Sequence, residues 1–357
     1  MSTPIRVGVI GAGGIAQFIH IPSLSSHPQA QVAALCCRTR EHAERTAHAQ
    51  GIPQVYTDYR AMLDQADLDA VVIATPDDLH HPMTMDALDA GLHVLCEKPL
   101  ANTAEQAREM WAKAESAGVV HGVFFTNRWL PHYRRLKELI DEGYLGTPYH
   151  CHIRFLGGYA RSANYQWRFD GRRANGALSD LGSHMIDLAR WTTGEIVRVC
   201  AHLETFVERS GPDGETIEPA NDSAMLLLQF ANGAQGSIHV SAVAHTADRF
   251  QEQQIVLNGA SGTLEAEQSY QGTDWAQMSI RTPSEVRGAR AEDPRLETLP
   301  IPERLWENAD TKNSHSVFAG QSAGPRAFVD AIFAGQPMTP SFADGTKAQQ
   351  VIDAALR

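Results

Sequence analysis

The chain has 357 residues, of which 43% are hydrophobic and 20% are charged, and its formal net charge is −12. This composition excludes a largely disordered chain, and the length is sufficient for two domains. The acidic balance argues against a nucleic-acid partner or an anionic membrane surface, because both bind basic surfaces.

The cysteines and the N-terminal sequence bear on the cellular compartment of the protein. There are five cysteines, an odd number, and no C-x-x-C pair, which favours a reducing environment over a disulfide framework. No apolar run reaches membrane-spanning length, and the first residues lack the basic and apolar regions of an export signal. We therefore predict a cytoplasmic protein with no membrane partner.

Short apolar runs alternate with amphipathic stretches from residue 5 to about residue 125. Continuous apolar runs separated by helices are typical of parallel strands covered on both faces. The predicted strands are Ile5–Ile10, Gln31–Cys36, Ala70–Ala74, His93–Cys96 and Val119–Phe124. The predicted helices are Ile15–Leu24, Arg40–Gln50, Asp58–Gln65, Pro82–Ala90 and Ala104–Ala117. This pattern predicts an α/β fold with a doubly wound Rossmann domain over residues 1–126.

The first predicted strand ends in a glycine-rich turn, G-A-G-G-I-A, between a strand and a helix. This is the G-x-G-x-x-A form of the dinucleotide fingerprint in the context that the fingerprint requires. Its first glycine permits a tight turn, its second lets the backbone approach a pyrophosphate, and the helix amides face the phosphates. The predicted cofactor contacts in this turn are Gly11, Gly13, Gly14, Ile15 and Ala16.

The end of the second strand bears on the cofactor's ribose. An acid there binds the 2′-hydroxyl of NAD, but this sequence reads C-C-R-T-R and has no acid before Glu41. Arg38 or Arg40 could pair with a 2′-phosphate, and Thr39 could donate a hydrogen bond to it. The pattern favours NADP, while NAD remains open if the arginines are only solvated residues at a helix start.

A lysine follows the predicted strand His93–Cys96, in the sequence Glu97-Lys98-Pro99. Ligands of open α/β sheets bind outside the carboxyl ends of the strands, so Lys98 points to where a substrate would lie. Pro99 keeps Lys98 out of the α-helical region. Such a lysine can polarise a carbonyl or donate to a hydroxyl oxygen. The alternative is a surface lysine before a turn.

In the second half of the chain the regular alternation of strands and helices ends, and several strands follow one another. This pattern predicts an α+β domain over residues 127–357 with a large, mostly antiparallel, open-faced sheet. Its predicted helices are Pro131–Glu142, Ala177–Thr193, Arg326–Ala334 and Phe342–Leu356, and the last of them can pack back on the first domain. Its predicted strands are His150–Leu156, Val197–Phe206, Ser223–Ala231, Gln235–Ala244 and Gln254–Asn258. The stretch Arg281–Ser316 has weak periodicity and is predicted to leave the sheet. An uncovered apolar sheet face favours a homodimer or homotetramer.

One helix of this domain carries a polar set. At about 100° per residue, Asp180, His184 and Asp187 fall within an arc of roughly 60°. A carboxylate one turn before a histidine can fix its tautomer and raise its basicity, as a proton-transfer base requires. The alternative is a solvated polar face.

Four motifs then stand in order: Gly11–Ala16, T-P-D-D-L-H over Thr75–His80, Glu97–Pro99, and D-L-G-S-H over Asp180–His184. Together they resemble the Gfo/Idh/MocA family of glucose–fructose oxidoreductase, inositol dehydrogenase and rhizopine-catabolism proteins, over nearly the whole chain. The resemblance implies that Lys98 contacts the reacting hydroxyl or carbonyl and that His184 acts as acid–base. It also implies that Asp180 supports the histidine or the substrate.

The resemblance implies further site residues. Near the cofactor they are Thr75, Pro76, His80 and Glu97. Lining the substrate pocket they are Arg128, Trp167 and Arg168, with an interdomain salt bridge as the alternative for Arg168 and a core aromatic as the alternative for Trp167. Asp77 departs from the family, which usually has Asn there. His150 and His152 alternate on one predicted strand without a third ligand, so we predict no metal site.

These features predict an NAD(P)-dependent oxidoreductase that transfers a hydride between nicotinamide and a secondary alcohol or ketone of a sugar, cyclitol or related polyol. Its partner is then a small-molecule substrate. Two rivals remain: a nicotinamide-assisted glycoside-cleaving enzyme, and a non-catalytic dinucleotide-binding regulator. The exact substrate is determined by loops whose sequences do not indicate which molecule they bind.

Overall fold

The computed structural model describes residues 3–271, 279–306 and 322–357, which fall into two compact units. Within these residues, the first unit comprises 3–126 and 322–349, and the second comprises 127–271, 279–306 and 350–357. The last helix of the chain therefore contributes residues to both units.

The first unit is built on a six-stranded parallel sheet. Its strands are β1 (Ile5–Ile10), β2 (Ala30–Cys36), β3 (Gln54–Tyr56), β4 (Ala70–Ile73), β5 (His93–Glu97) and β6 (His121–Phe124). Their order is β3-β2-β1-β4-β5-β6, and every neighbouring pair is parallel. This order reverses between β1 and β4, which opens a crevice at the carboxyl ends of the strands. The predicted Rossmann fold is confirmed, with the short, half-buried β3 added at the edge.

Helices cover this sheet. They are α1 (Ile21–Ser25), α2 (Arg40–Gln50), α3 (Tyr59–Gln65), α4 (His80–Asp89) and α5 (Ala104–Ala117). A π-helical turn, Ala16–His20, leads directly into α1 and replaces part of the regular helix that the sequence predicts. Helix α5 begins at Ala104, as the sequence predicts, and the hydroxyl of its N-cap residue Thr103 accepts the amide of Gln106 at 3.2 Å.

The second unit holds helices α6 (Pro131–Asp141) and α7 (Ser183–Thr193) and an eight-stranded sheet. Its strands are β7 (Pro148–Gly157), β8 (Ile196–Glu204), β9 (Ser223–Phe230), β10 (Gln235–Ser241), β11 (Arg249–Gly259), β12 (Gly262–Gln271), β13 (Ser279–Arg290) and β14 (Asp293–Leu299). The order is β14-β13-β12-β11-β7-β10-β9-β8, and all neighbouring pairs are antiparallel except β7 with β10. The prediction of a mostly antiparallel sheet is confirmed.

The prediction that residues 281–316 leave the sheet is wrong for their first part. Strands β13 and β14 pair as an antiparallel hairpin at the sheet edge, and β13 pairs with β12. Strand β14 is exposed along nearly its whole length, so its charged residues give no alternation of buried and exposed positions. Residues 307–316 of the predicted excursion lie outside the described residues.

One face of this sheet is buried and the other is exposed. Along β9, Leu226 and Leu228 are buried, whereas Met225 and Leu227 are 54% and 65% exposed. The unit's own helices contact the sheet, α6 at β12 and β13 and α7 at β7. The exposed face therefore carries large apolar side chains that the described residues of the second unit leave accessible.

The chain closes with α8 (Ala323–Ala334) and α9 (Phe342–Ala355). Helix α8 contacts β5, β6 and α1 of the first unit. In the part of the chain that the structure describes, no helix is both long and apolar enough to cross a membrane. All five cysteines are described, and all are free thiols.

Candidate active site

The glycine turn follows β1 where β1, β2 and β4 end side by side. The amide of Gly11 donates to the Cys36 carbonyl at 2.8 Å, and Ala74 donates to the carbonyl of Ile10 at 2.8 Å. Gly11 has a φ of +107°, and an added Cβ would lie 2.1 Å from the Ala74 carbonyl oxygen. Only glycine fits this position.

Gly13 differs, because an added Cβ would meet no protein atom within 4 Å. Gly13 and Gly14 are exposed and Ile15 is half-buried, whereas Ala16 is fully buried against the sheet. The turn thus has an open cradle of backbone at the start of a helical segment. This is what a dinucleotide pyrophosphate requires, so the residues present fit a nicotinamide cofactor.

Two arginines, Arg38 and Arg40, follow β2, and they differ in their ion pairs. Arg40 forms an ion pair with Glu44 at 3.2 Å on α2. Arg38 is exposed, and its guanidinium has no ion-pair partner among the described residues. Thr39 is exposed at the N-cap of α2 without a side-chain capping bond. Both predicted ribose-side residues are therefore accessible to solvent.

The E-K-P segment begins at the last residue of β5. Glu97 is buried, and its two carboxylate oxygens contact His20 Nε2 at 2.7 Å and the Lys98 amide at 3.2 Å. Lys98 itself is half-buried, and the Lys98–Pro99 peptide bond is cis. The predicted position of Lys98 outside the carboxyl end of a parallel strand is what the structure shows.

His80 occupies a different environment from the one expected of a residue lining the nicotinamide. It is fully buried, and its ring nitrogens contact two carbonyl oxygens, Pro99 at 2.7 Å and Thr75 at 3.0 Å. Both nitrogens must donate, so the ring is an imidazolium. Burial alone would lower its pKa, but the Cys96 sulfur, the Asp77 carboxylate and the Pro99 carbonyl raise the pKa of His80 to about 10. The ring thus joins the loops after β4 and β5 and has no nitrogen left for a ligand, while Thr75 and Pro76 stay half-buried beside it.

In the second unit, Asp180 lies in a π-helical turn, Leu178–Gly182, which leads into α7. One carboxylate oxygen accepts the Tyr159 hydroxyl at 2.5 Å, and the other is 3.2 Å from Arg168 Nε. Burial, followed by the charge of Asp180, raises the pKa of Tyr159 well above its ordinary value, so this hydroxyl remains a donor. Asp180 is thereby held by two side chains of its own unit.

His184 is half-buried on the first turn of α7. The alternative of a solvated polar face does not hold at Asp187, which is 1% exposed, and α7 is buried on most sides. Asp187 forms a bidentate ion pair with Arg128 at 2.6 and 2.8 Å. The π-helical turn before α7 also breaks the regular 100° spacing on which the expectation rested.

The three predicted substrate residues have different environments. Arg128 is 6% exposed, is paired with Asp187, and lies 5.5 Å from the Trp191 ring centre, which is the environment of a structural arginine. Trp167 is half-buried with the Arg168 guanidinium 4.3 Å from its ring centre. Arg168 pairs with Asp180 inside the second unit.

Sequence reasoning missed two residues of these clusters. His20 contacts Glu97 from a position 77 residues earlier, and Tyr159 contacts Asp180 from 21 residues earlier. No local sequence pattern predicts either contact. Across the described residues, no group of three or more His, Cys, Asp or Glu side chains could hold a metal ion.

Family models match both halves of the chain. The model of an oxidoreductase family with an NAD-binding Rossmann fold, Gfo/Idh/MocA, matches residues 5–125. The model of the Gfo/Idh/MocA C-terminal domain matches residues 133–265.

Individual proteins are similar over comparable lengths. Levoglucosan dehydrogenase of Pseudarthrobacter phenanthrenivorans is 30% identical over 389 residues, covering 99% of this chain and 95% of that protein. D-glucoside 3-dehydrogenase of Escherichia coli is 34% identical over 246 residues, covering 65% of this chain and 68% of that protein. A solved structure of levoglucosan dehydrogenase with NADH and levoglucosan has a TM-score of 0.80 and 28% identity, covering 99% of this chain and 96% of that one.

Proposed function

This chain belongs to the Gfo/Idh/MocA family of oxidoreductases, and we propose that it oxidises a secondary hydroxyl of a sugar or cyclitol, or reduces the corresponding ketone, with a nicotinamide cofactor. The observation that carries the proposal lies in the first unit. An open glycine cradle and a lysine outside the end of β5 belong to one Rossmann sheet, where nucleotide and substrate sites of this fold lie.

The roles of the residues follow from their chemistry. Gly11, Gly13 and the start of the helical segment would hold the cofactor, which supplies the hydride acceptor when bound. Lys98 donates to the substrate oxygen and stabilises the charge that develops there as the carbonyl forms. His184 takes the hydroxyl proton as a neutral imidazole. Asp180, fixed by Tyr159 and Arg168, positions the histidine or a substrate hydroxyl.

The substrate class is supported by the relatives. Levoglucosan dehydrogenase, D-glucoside 3-dehydrogenase and D-apiose dehydrogenase are all named for the oxidation of carbohydrates. These names do not favour a glycoside-cleaving enzyme without net redox change or a non-catalytic regulator. A screen of anhydrosugars, glucosides, pentoses and inositols, followed by absorbance of the reduced nicotinamide, tests the proposal. Steady accumulation of reduced cofactor supports a dehydrogenase, whereas cleavage of a glycoside without it would overturn that assignment.

For the cofactor, we propose that NADP binds at least as well as NAD. Arg38 is exposed and has no ion-pair partner among the described residues, and no acid lies between Cys36 and Arg40 to repel a 2′-phosphate. Fluorescence titration of both cofactors should show that Arg38→Ala weakens NADP selectively. Cys37→Asp should shift the preference towards NAD by adding a hydroxyl acceptor and charge repulsion. Tighter NAD binding by the wild type, unchanged in Arg38→Ala, would contradict the proposal.

We also propose that the chain assembles into a homodimer or homotetramer through the exposed face of the eight-stranded sheet. Phe206, Met225 and Leu227 are each more than half exposed in the single chain. Apolar side chains gathered on one sheet face are typical of a contact between copies. A cytoplasmic location remains a prediction from the thiols and the N-terminal sequence.

A further inference from the structure

Two buried histidines flank the E-K-P segment, one on each side of Lys98. His20 contacts the side chain of the residue before Lys98, and His80 contacts the carbonyl of the residue after it. Both rings are 0% exposed, so neither can contact a solvent-borne ligand directly. Their polar contacts are made to the protein framework around the lysine.

On the first side, Glu97 links His20 to the Lys98 backbone. One carboxylate oxygen lies 2.7 Å from His20 Nε2, and the other accepts the Lys98 amide at 3.2 Å. The His20 ring also packs edge-on against Phe124, with ring centres 4.7 Å apart. Among the described residues, His20 Nδ1 has no hydrogen-bond partner. The bond to Glu97 is therefore the polar contact that a His20→Phe substitution removes.

The position of His20 comes from the cofactor-binding end of the unit. It is the last residue of the π-helical turn Ala16–His20, which follows the glycine turn directly. A π-helical turn adds a residue to the helix and shifts the direction of the side chains that follow. The same helical segment thus begins beside the cofactor cradle and ends in a hydrogen bond to Glu97.

On the second side, the His80 imidazolium holds two loops together. It donates to the carbonyl of Pro99, immediately after Lys98, and to the carbonyl of Thr75 after β4. Hydrogen bonds from a buried cation are stronger than neutral ones, since the surroundings screen them weakly. The backbone on both sides of Lys98 is fixed in this way.

We propose that His20 and His80 are positioning residues that fix the Lys98 backbone and thereby place its ammonium against the reacting oxygen. The proposal rests on the role proposed above for Lys98. Its physical basis is that a displacement of about 1 Å in a reacting group can cost about a hundredfold in rate. Since both rings are fully buried and bonded to the residues on either side of Lys98, both act through the lysine.

The kinetic test compares His20→Phe with His20→Gln, which restores an N–H donor. His20→Phe should lower kcat about tenfold or more, with KM and the Kd for NADH changed by less than about threefold. His20→Gln should recover most of the loss. The matched control is His132→Phe, another fully buried histidine, whose ring nitrogens have no hydrogen-bond partner within the described residues. It should keep the wild-type kcat.

A second measurement reports on Lys98 without catalysis. The chain has five lysines, so reductive ¹³C-methylation gives few NMR signals, and Lys98→Arg assigns the one of interest. The Lys98 signal should shift or broaden in His20→Phe and in His80→Gln, and should be unchanged in His132→Phe. If His20→Phe fails to fold, Glu97→Gln breaks the same connection and provides the comparison.

The outcomes distinguish the positioning role of His20 and His80 from the proposed catalytic role of Lys98. A folded His20→Phe with wild-type kcat and an unchanged Lys98 signal would overturn the positioning role. An altered Lys98 signal together with full activity of Lys98→Ala would uphold the positioning and overturn the proposed function of the lysine. In the double variant His20→Phe/Glu97→Gln, kcat should fall no further than in the worse single variant, since both changes break one connection. Additive losses would contradict that connection.

Discussion

At the scale of single residues, the two units concentrate their polar chemistry at a few positions. Lys98 stands beside a buried carboxylate whose oxygens are both in use, and Asp180 is held by a tyrosine and an arginine. Fixed partners of this kind keep a side chain in one geometry, which reactions sensitive to orientation require. Mutations at these positions should affect turnover more than binding.

Lys98→Ala should leave the affinity for the cofactor nearly intact and lower kcat by about a hundredfold or more, because the lysine acts on the reacting oxygen. Steady-state kinetics and NADH fluorescence titration measure the two quantities separately. The control is Lys347→Ala, which removes an exposed lysine of the first unit. An equal loss of cofactor binding in Lys98→Ala would show that the lysine belongs to the cofactor site.

His184→Ala should remove a step in the pH profile. Only a neutral imidazole accepts the hydroxyl proton, so oxidation by the wild type should rise with pH, and the variant should lose this rise. The measurement is kcat/KM for oxidation across the pH range, with His202→Ala as the control at an exposed histidine. A variant profile that keeps the same rise would assign the proton transfer to another group.

His132 should make stability depend on acid. Its ring is fully buried and lies 4.1 Å from the Tyr133 ring, and burial lowers its pKa to about 3. An unfolded histidine titrates near 6.5, so the neutral buried ring contributes fully above about pH 6.5 and its contribution is lost as pH falls towards 3. In His132→Phe, stability should fall less steeply with acid, by up to about 1.4 kcal/mol per pH unit.

Urea unfolding of His132→Phe and the wild type between pH 7 and 4 measures this slope. His48→Ala, at an exposed position, serves as the control. The comparison uses slopes, so a constant gain or loss from the new phenyl ring cancels. Parallel curves for His132→Phe and the wild type would refute the assignment of a neutral buried ring.

At the scale of elements, two π-helical turns supply key contacts. Ala16–His20 presents His20 to Glu97, and Leu178–Gly182 contains Asp180. A turn of this type departs from regular helical spacing, and such turns are frequent at functional sites. The second turn contains Asp180, so a spacing of 100° per residue does not hold between Asp180 and His184.

The glycine turn allows a paired test of folding against binding. Gly11→Ala puts a Cβ 2.1 Å from the Ala74 carbonyl oxygen at a φ of +107°, so it should destabilise the fold by about 1–3 kcal/mol or more. Gly13→Ala meets no protein atom within 4 Å and should keep wild-type stability. It should instead weaken NADH binding by about tenfold or more, since its methyl group occupies the pyrophosphate cradle.

Thermal unfolding and NADH titration on both glycine variants separate the two effects. The expected pattern is a lower Tm for Gly11→Ala alone and a higher Kd for Gly13→Ala at an unchanged Tm. Wild-type affinity in Gly13→Ala would mean that the pyrophosphate does not approach this glycine.

At the scale of the whole molecule, we expect copies of the chain to associate through the exposed sheet face of the second unit. Leu227→Glu places a charge among apolar side chains and should lower the molar mass in solution to that of a single chain. Size-exclusion chromatography with light scattering measures the mass. Leu356→Glu, at an apolar residue 42% exposed near the C-terminus, should leave it unchanged. A monomeric wild type would contradict assembly through this face.

The sequence by itself determined the doubly wound Rossmann fold, the glycine turn, the position of Lys98 at a strand end, and the approximate bounds of most helices and strands. These features are local, since hydrophobic periodicity and turn residues act over a few neighbours. The sequence did not predict strand β14. This edge strand is exposed along nearly its whole length, so it shows no alternation of buried and exposed residues, and only its pairing with β13 defines it.

Only the tertiary structure decided which side chains meet. The contact of His20 with Glu97 spans 77 residues, that of Arg128 with Asp187 spans 59, and that of Tyr159 with Asp180 spans 21. The resemblance implied that Arg128 and His80 line ligands, which stays a prediction, and only the structure shows that both side chains are buried and bonded to the protein. The physical reason is that burial and partner geometry depend on packing between distant segments, and no local pattern encodes them.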